Sequence, residues 1–397
     1  MKYFKLIIAL TLFVFVACSE FEHGPTDSSS GNPAKVENVV ITPINGGLEI
    51  TYDLPKDKNV LYVKAVYMNS KGVESEVKTS VFNNKIQILG FKDVAEVSVK
   101  LYSVNRAETN SEAVVVSGTP LISPVDMIQQ NFEITTDFGG AKFKWNNALK
   151  TPIAIQLFAP NEKGKLELVN TQYTEQIASS FSLRGYPSVP TKFAAVIRDR
   201  YDNFSDTIYA GTADKMLVPL HEERLDKTIF KKVVLQNDDN WDAWEGDYWG
   251  LFDDKNGTIV HTQGNIPRPS ILTVDLGVVV NLSRINVLQR ADGLGLGFAY
   301  THGNPKKYAV YGSKELPGPD GNLANWIKLR DCESIKPSGL PIGQKTDEDV
   351  AHFWAGDEYT FENAPEIRYF RFVVYDTWDG AGYISFSELT FWGNIVK

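Results

Sequence analysis

Aromatic rings set among carboxylates are the most chemically informative feature of this sequence. Trp241, Trp244 and Trp249 lie within ten residues of one another, with aspartate and glutamate side chains between them. An indole ring can cover the apolar C–H face of a sugar, while polar side chains satisfy the hydroxyl groups that the ring leaves free. We therefore expect at least one of these rings to contact a ligand. The alternative is that the rings pack beneath the loop.

Trp378, Arg290, Tyr300 and His302 are the other candidate ligand-binding residues. Trp378 lies in the segment DTWDGAG, whose glycines and aspartates predict a loop with an exposed indole. Arg290 ends a predicted strand and precedes the segment ADGLGLG, where alternating glycines let the backbone approach a ligand closely. A surface salt bridge is the alternative role for Arg290. Tyr300 and His302 follow this loop and are candidates through their position alone.

Asp253, Asn256, Thr258 and Glu388 could together bind a hard cation. Calcium takes carboxylate, amide and carbonyl oxygens as ligands. A turn rich in Asp and Asn, combined with a distant carboxylate, supplies this chemistry. The sequence therefore predicts a structural calcium ion, and a metal-free turn is the alternative.

Catalysis has little support in the sequence. The five histidines are scattered without the spacing of metal ligands, and no Gly-x-Ser-x-Gly nucleophile segment is present. The carboxylates are so numerous that counting them does not exclude a glycosidase pair. The net charge of −9 argues against nucleic acid or an anionic lipid surface as the partner. We expect a binding protein and not an enzyme.

The N-terminal residues predict export. A short basic start precedes twelve mostly apolar residues, Leu6 to Ala17, which are too few to span a bilayer, so 1–17 is predicted to be a signal peptide. This segment and the next residue end in FVAC, which resembles a bacterial lipobox and implies that Cys18 is lipidated. The acidic residues after Cys18 resemble the surface-export signal of Bacteroidetes lipoproteins, which implies an outer-membrane, cell-surface location. Residues 18–34 are predicted to be a flexible tether.

Alternation of apolar and polar residues predicts β-strands along almost all of the remaining chain. Leu48, Ile50 and Tyr52 alternate with polar neighbours, as in half-buried strands. The segment GGLEITY around them recurs about 93 residues later as GGAKFKW. The two copies, predicted at 35–119 and 120–219, resemble fibronectin type III or immunoglobulin-like modules, which implies two β-sandwiches.

The last segment, 220–397, differs in texture and holds most of the eight tryptophans. Short sequences follow one another in the order LFD (251–253), His261, VDLG (274–277), YAVYGS (308–313), RYFRF (368–372) and SEL (387–389). This order resembles coagulation-factor C-type (discoidin) domains, which include the family 32 carbohydrate-binding modules. The resemblance implies a third β-sandwich with a sugar site near Arg290 and Trp378, and a calcium ion that ties the chain ends together through Glu388.

The complete domain order resembles surface lipoproteins encoded in Bacteroidetes polysaccharide-utilisation loci. The resemblance implies an all-β protein that binds a glycan, is attached to the outer membrane by lipid, and associates with an outer-membrane transporter complex. The alternative is an adhesin or assembly subunit that contacts a protein partner through a flat apolar patch. Cys332, the one cysteine besides Cys18, is predicted to be a core residue.

Overall fold

The computed structural model describes residues 31–211, 214–291 and 296–396. The predicted signal peptide, the lipidation site Cys18, most of the tether and the centre of the glycine-rich segment after Arg290 lie outside the described residues. Within the described part of the chain, no helix is long and apolar enough to cross a membrane.

The first sandwich is built from seven strands whose alternating residues face one core. The strands are β1 (Glu37–Ile44), β2 (Gly47–Asp53), β3 (Val60–Met68), β4 (Glu74–Ser80), β5 (Lys85–Leu89), β6 (Val97–Asn105) and β7 (Val114–Gly118). One sheet has the order β1-β2-β5 and the other has the order β4-β3-β6-β7. Leu48, Ile50 and Tyr52 of β2 are buried, as their period of two predicts. The three-plus-four arrangement is that of a fibronectin type III module.

The second sandwich repeats this arrangement after a short helix. Its elements are α1 (Pro124–Gln130), β8 (Glu133–Asp137), β9 (Gly140–Asn146), β10 (Ile153–Pro160), β11 (Leu166–Thr174), β12 (Ala178–Leu183), β13 (Ala194–Asp199) and β14 (Ile208–Tyr209). The sheets have the orders β12-β9-β8 and β11-β10-β13-β14. Ser123 caps α1, because its hydroxyl accepts a hydrogen bond from the backbone nitrogen of Asp126 at 3.1 Å. Phe143 and Trp145 of β9 are buried where β2 has Ile50 and Tyr52.

The third sandwich is organised around one long strand. Its elements are β15 (Glu223–Arg224), β16 (Lys231–Val233), β17 (Val260–His261), β18 (Ser270–Gln289), β19 (Pro305–Ser313), β20 (Ile327–Glu333), α2 (Asp347–Ala355), β21 (Asp357–Thr360), β22 (Glu366–Thr377) and β23 (Ser385–Ile395). The main order is β15-β23-β18-β22-β19-β20, while β16 and β21 pair with β18 and β17 pairs with β23. The first half of β18 pairs with β22 and the second half pairs with β23, so this strand is buried along almost its whole length.

The chain forms two compact units. The first contains the first sandwich and most of the second, and the second contains the third sandwich together with residues 135–142 and 182–191. The strand orders confirm the predicted fold class, an all-β chain with two fibronectin-like sandwiches followed by a discoidin-like one. Cys332 is 4% exposed and is a core residue, as predicted.

A buried ion pair holds the beginning of the third sandwich to its sheet. Arg371 of β22, whose side chain has no exposed surface, donates to Asp238 Oδ1 at 2.6 Å. Asp238 also accepts hydrogen bonds from Thr273 Oγ1 at 3.0 Å and from the backbone nitrogen of Leu235 at 2.9 Å. The guanidinium group lies 5.0 Å from the ring centroid of Trp326. Each charge depends on the other, because a buried charge without a partner is costly.

The variant Arg371→Met is expected to lower the free energy of unfolding by about 3–5 kcal/mol, because it leaves the Asp238 carboxylate buried without its cation. Denaturant titration of the purified chain measures this loss. Lys85→Met is the matched control: it removes an exposed ion pair with Glu49 and is expected to change stability little. A loss no larger than that of the control would contradict the role assigned to Arg371.

Candidate functional site

A loop with several hydrogen bonds holds Trp244 outside the core of the third sandwich. Trp244 is 82% exposed, and its φ of +54° is a left-handed conformation that is unfavourable for a non-glycine residue. The backbone nitrogen of Ala243 donates to the carbonyl oxygen of His261 at 2.9 Å. A Cβ atom at Gly246 would lie 2.4 Å from the backbone nitrogen of His261, so this close approach requires glycine. The loop therefore presents the indole to solvent in one defined place.

His261, at the end of β17, is a neutral acceptor beside this indole. Its ring stacks on Tyr383 with 4.6 Å between centroids, and the ring of Trp244 lies 6.3 Å away. Nδ1 lies 2.5 Å from the carbonyl oxygen of Thr262 and donates to it, which leaves Nε2 unprotonated in the neutral ring. Burial, together with the charge of Arg290, lowers the pKa of His261, although the hydrogen bond to Thr262 opposes this shift.

Arg290 follows β18 and is joined to His261 through the neighbouring strand. His261 pairs with Ser385 of β23, and Arg290 Nη1 donates to Ser385 Oγ at 3.3 Å. The guanidinium carbon lies 4.9 Å from the ring centroid of Phe298, and that ring stacks on His302 at 3.8 Å. Within the residues that the structure describes, Arg290 forms no ion pair with a carboxylate.

These contacts bring together five side chains, which we call the rim cluster: Trp244, His261, Arg290, Phe298 and Tyr383. Flat rings, an imidazole acceptor and guanidinium donors are the groups that a ligand with an apolar face and several hydroxyls requires. Trp244 and Arg290 were predicted as ligand residues from the sequence, and the predicted His302 adjoins the cluster through Phe298. His261, Phe298 and Tyr383 were not singled out as ligand residues from the sequence. Strand pairing makes His261 and Tyr383 neighbours, while Phe298 lies in the loop eight residues after Arg290.

The structure buries Trp241 and Tyr300, which the sequence suggests as ligand residues. Trp241 is 2% exposed, and its Nε1 donates to the carbonyl oxygen of Ile271 at 2.8 Å. Tyr300 is 1% exposed, and its hydroxyl donates to the carbonyl oxygen of Asp349 at 2.9 Å. Neither ring has a face left for a ligand, so both are core residues.

Trp378 and Trp249 lie outside the rim cluster. Trp378 is half-buried, not exposed as the sequence predicts, because its ring packs edge-on against Tyr300 at 5.1 Å and its Nε1 donates to Ser334 Oγ at 3.2 Å. Trp249 is 43% exposed and its ring packs against Tyr248 at 5.3 Å. Contact of either ring with a ligand stays a prediction.

The residues predicted to bind calcium already have other partners. Thr258 Oγ1 donates to both carboxylate oxygens of Asp253 at 2.8 Å. Glu388 is 6% exposed, and its Oε1 accepts a hydrogen bond from the ammonium group of Lys227 at 2.7 Å. Asn256 is exposed. Among the described residues, no group of three or more His, Cys, Asp or Glu side chains could hold a metal ion.

A lysine supplies the positive charge at this place. Lys227 is 8% exposed, and its Nζ also donates to Asp254 Oδ1 at 2.6 Å and to Thr390 Oγ1 at 3.0 Å. The three donors of the ammonium group thus meet three oxygens, and the charge of the buried Glu388 is balanced. This arrangement does not fit calcium, because the cation would have to displace the ammonium group.

Comparison with known proteins places the chain in a family. Three domains of unknown function match in succession: DUF4959 over residues 33–120, DUF5126 over 121–228 and DUF5000 over 237–393. Curated proteins give no match. A SusE-like protein of known structure is 32% identical over 68% of this chain and 98% of its own, with a TM-score of 0.44. By this identity and coverage, the chain belongs to the SusE-like family.

Two other solved structures are similar to parts of the chain. A segment of two fibronectin type III domains from chicken tenascin is 14% identical over 44% of this chain and 97% of its own, with a TM-score of 0.22. A family 32 carbohydrate-binding module, solved with bound GalNAc, is 11% identical over 41% of this chain and 94% of its own, with a TM-score of 0.25. The strand order, and not these superpositions, defines the architecture.

The variant Lys227→Met is expected to lower the free energy of unfolding by about 3–5 kcal/mol, because it leaves the buried Glu388 carboxylate without the ammonium group that pairs with it. Lys255→Met, at an exposed lysine beside Asp253, is the matched control and is expected to change stability little. The melting temperature of the wild-type chain should be the same in EDTA and in excess calcium. A rise on adding calcium would show that a metal, and not Lys227, balances these carboxylates.

Proposed function

We propose that this protein is a cell-surface lipoprotein that captures an oligosaccharide or polysaccharide at the rim cluster. The observation that carries the proposal is Trp244, a tryptophan 82% exposed on a loop that holds it in a left-handed conformation. Core packing gives no reason to keep an indole there, whereas stacking on a sugar does. Membership of the SusE-like family supports the same function.

The neighbours of Trp244 supply the polar half of sugar recognition. The neutral imidazole of His261 offers Nε2 as an acceptor for a hydroxyl group, and Arg290 offers donors. Tyr383 stacks on His261 and fixes the plane of the imidazole ring. One ring of a glycan could therefore stack on the indole while its hydroxyls reach both the imidazole and the guanidinium group.

In this proposal the rest of the chain attaches the binding domain to the membrane and positions it. Lipidation of Cys18 attaches the protein to the outer membrane, and the two fibronectin-like sandwiches act as a spacer that holds the third sandwich at the cell surface. An outer-membrane transporter complex is the proposed recipient of the captured glycan. The protein binds and does not catalyse.

The mixed chemistry of the rim cluster favours a glycan over the alternative, a protein partner. An adhesin or assembly subunit that binds a protein would derive its binding energy from a contiguous apolar patch. The rim cluster instead combines an imidazole, a guanidinium group and aromatic rings, so its polar groups would need hydrogen-bonding partners in any complex.

The variant Trp244→Ala is expected to weaken glycan binding by roughly 1–3 kcal/mol, the usual loss for removing a stacking ring. Its melting temperature should stay close to that of the wild type, because the ring is exposed. Native gels containing xylan, galactan, mannan, starch or polygalacturonate identify the polymer that retards the chain, and calorimetry with its oligosaccharide measures affinity.

Phe82→Ala is the matched control, since this ring is 97% exposed and belongs to the first sandwich. It is expected to keep both stability and affinity. Unchanged binding by a folded Trp244→Ala protein would remove the rim cluster from the function. Retardation of the wild-type chain in none of the gels would count against glycan binding altogether.

Glycan binding should weaken on acidification to about pH 5, below the ordinary pKa of histidine. The pKa of His261 is lowered, so the ring is neutral at pH 7 and gains a proton only below its shifted pKa. Protonation converts Nε2 from an acceptor to a donor and adds a second positive charge beside Arg290. Calorimetry from pH 7.5 to 5 on the wild type and on His261→Gln tests this, because the glutamine variant should lack the acid step. If both proteins lose affinity equally between pH 7.5 and 5, His261 is not the group responsible for the pH dependence.

A further inference from the structure

A trough runs along the outer face of the four-stranded sheet in the second sandwich. Ile153, Ile155 and Leu157 of β10 face the core. Ala154 between them points to the other side of the sheet, where it is only 5% exposed. Ala154 pairs with Tyr173 on one neighbouring strand and with Arg198 on the other. A methyl group between two long side chains leaves a concavity, which has a volume of about 470 Å3.

Tyr173 forms one wall of this trough and is unusually open for an aromatic residue. It is 76% exposed and stands on β11, the edge strand of the sheet. Burial therefore contributes little to keeping a ring at this position. A flat ring beside a concavity is a platform on which a sugar can stack.

Charged groups stand around the same trough. Arg198 forms the opposite wall, and its nearest carboxylate, that of Asp202, lies 3.8 Å away, so the guanidinium group is only loosely held. Arg200 and Glu175 also line the concavity and are exposed. A mainly apolar floor with a few polar groups that can donate and accept is the usual composition of a small-molecule site.

A second concavity continues from the first. Its volume is about 390 Å3, and it shares Pro152, Asp199 and Arg200 with the trough before reaching Leu89 and Phe91 of the first sandwich. Both concavities lie within the first compact unit. The continuous path suits a chain of several linked rings and exceeds what a single ring needs.

We propose that this trough is an oligosaccharide-binding site, separate from the rim cluster, in which Tyr173 stacks on one sugar ring while Arg198, Arg200 and Glu175 bond its hydroxyls. The proposal does not rest on the function assigned to the third sandwich. It gives the second sandwich a binding role in addition to its role as a spacer. A polysaccharide could then be held at two places along one protein.

The test uses the full chain in native gels containing xylan, galactan, mannan, starch or polygalacturonate. Tyr173→Ala removes the platform, and Ala154→Leu fills the floor. In the gels that retard the wild type, each variant is expected to weaken the apparent affinity by about fivefold or more. Tyr173→Phe keeps the ring and should retain most of the affinity. Phe82→Ala is the matched control, because Phe82 is 97% exposed but lies outside the trough.

The outcomes separate the two sites. Retardation that weakens in Tyr173→Ala and in Trp244→Ala, and disappears in the double variant, supports both. If Trp244→Ala loses retardation while Tyr173→Ala and Ala154→Leu migrate like the wild type, the trough site is overturned and the rim cluster remains. If only the two trough variants lose retardation, the result supports the trough site and counts against the rim cluster. Equal loss in Phe82→Ala, or no retardation of the wild type in any gel, overturns the trough site.

Discussion

The third sandwich depends on a charge pair whose side chains are almost completely buried. Arg371 lies on the central sheet and Asp238 lies in the segment that leads to the rim-cluster loop, so the pair fastens that segment to the sheet. Asn237 accepts a hydrogen bond from the same guanidinium group at 2.7 Å. A buried ion pair of this kind adds little net stability compared with apolar packing, but breaking it is costly. In this protein the pair fixes where the following loop begins relative to the sheet.

From that fixed beginning, one short loop gives three tryptophans three different environments. Trp241 is anchored in the core, Trp249 packs along the edge of the core, and Trp244 is exposed. The anchored ring and the glycine contact at Gly246 make the exposed ring possible, because they prevent the loop from collapsing onto the sheet. A rigid loop also lowers the conformational entropy that a ligand must remove when it binds.

Two buried lysines of the third sandwich, Lys227 and Lys336, each bind several oxygen atoms through the ammonium group. Lys227 meets Glu388, Asp254 and Thr390, while Lys336 donates to the carbonyl oxygens of Leu340 and Pro341 at 2.9 Å and to that of Gln344. Each ammonium group satisfies oxygens that turns of the chain bring close together. A covalently attached cation cannot dissociate, so these turns keep their shape without regard to the metal content of the medium.

The sequence by itself determined the strands, the repeat and the order of the three sandwiches. Side chains alternate between the two faces of a strand whatever its distant partners are. The positions of Leu48, Ile50 and Tyr52 therefore already indicate which face of the strand lies against the core. The matching glycines before β2 and β9 reveal the repeat for the same local reason. Trp244 and Arg290 could be found too, because a polar loop and a strand end are local features.

Only the tertiary structure decided which rings are exposed and which polar groups meet. Trp241 and Trp244 have nearly the same sequence surroundings, yet the first is covered by Phe386 of β23 and the second is not. His261, Arg290 and Tyr383 are far apart in sequence and become neighbours because β17 and β18 both pair with β23. Lys227 reached Glu388 across 161 positions of sequence in the same way. Pairing between distant strands fixes such contacts, and no local pattern encodes it.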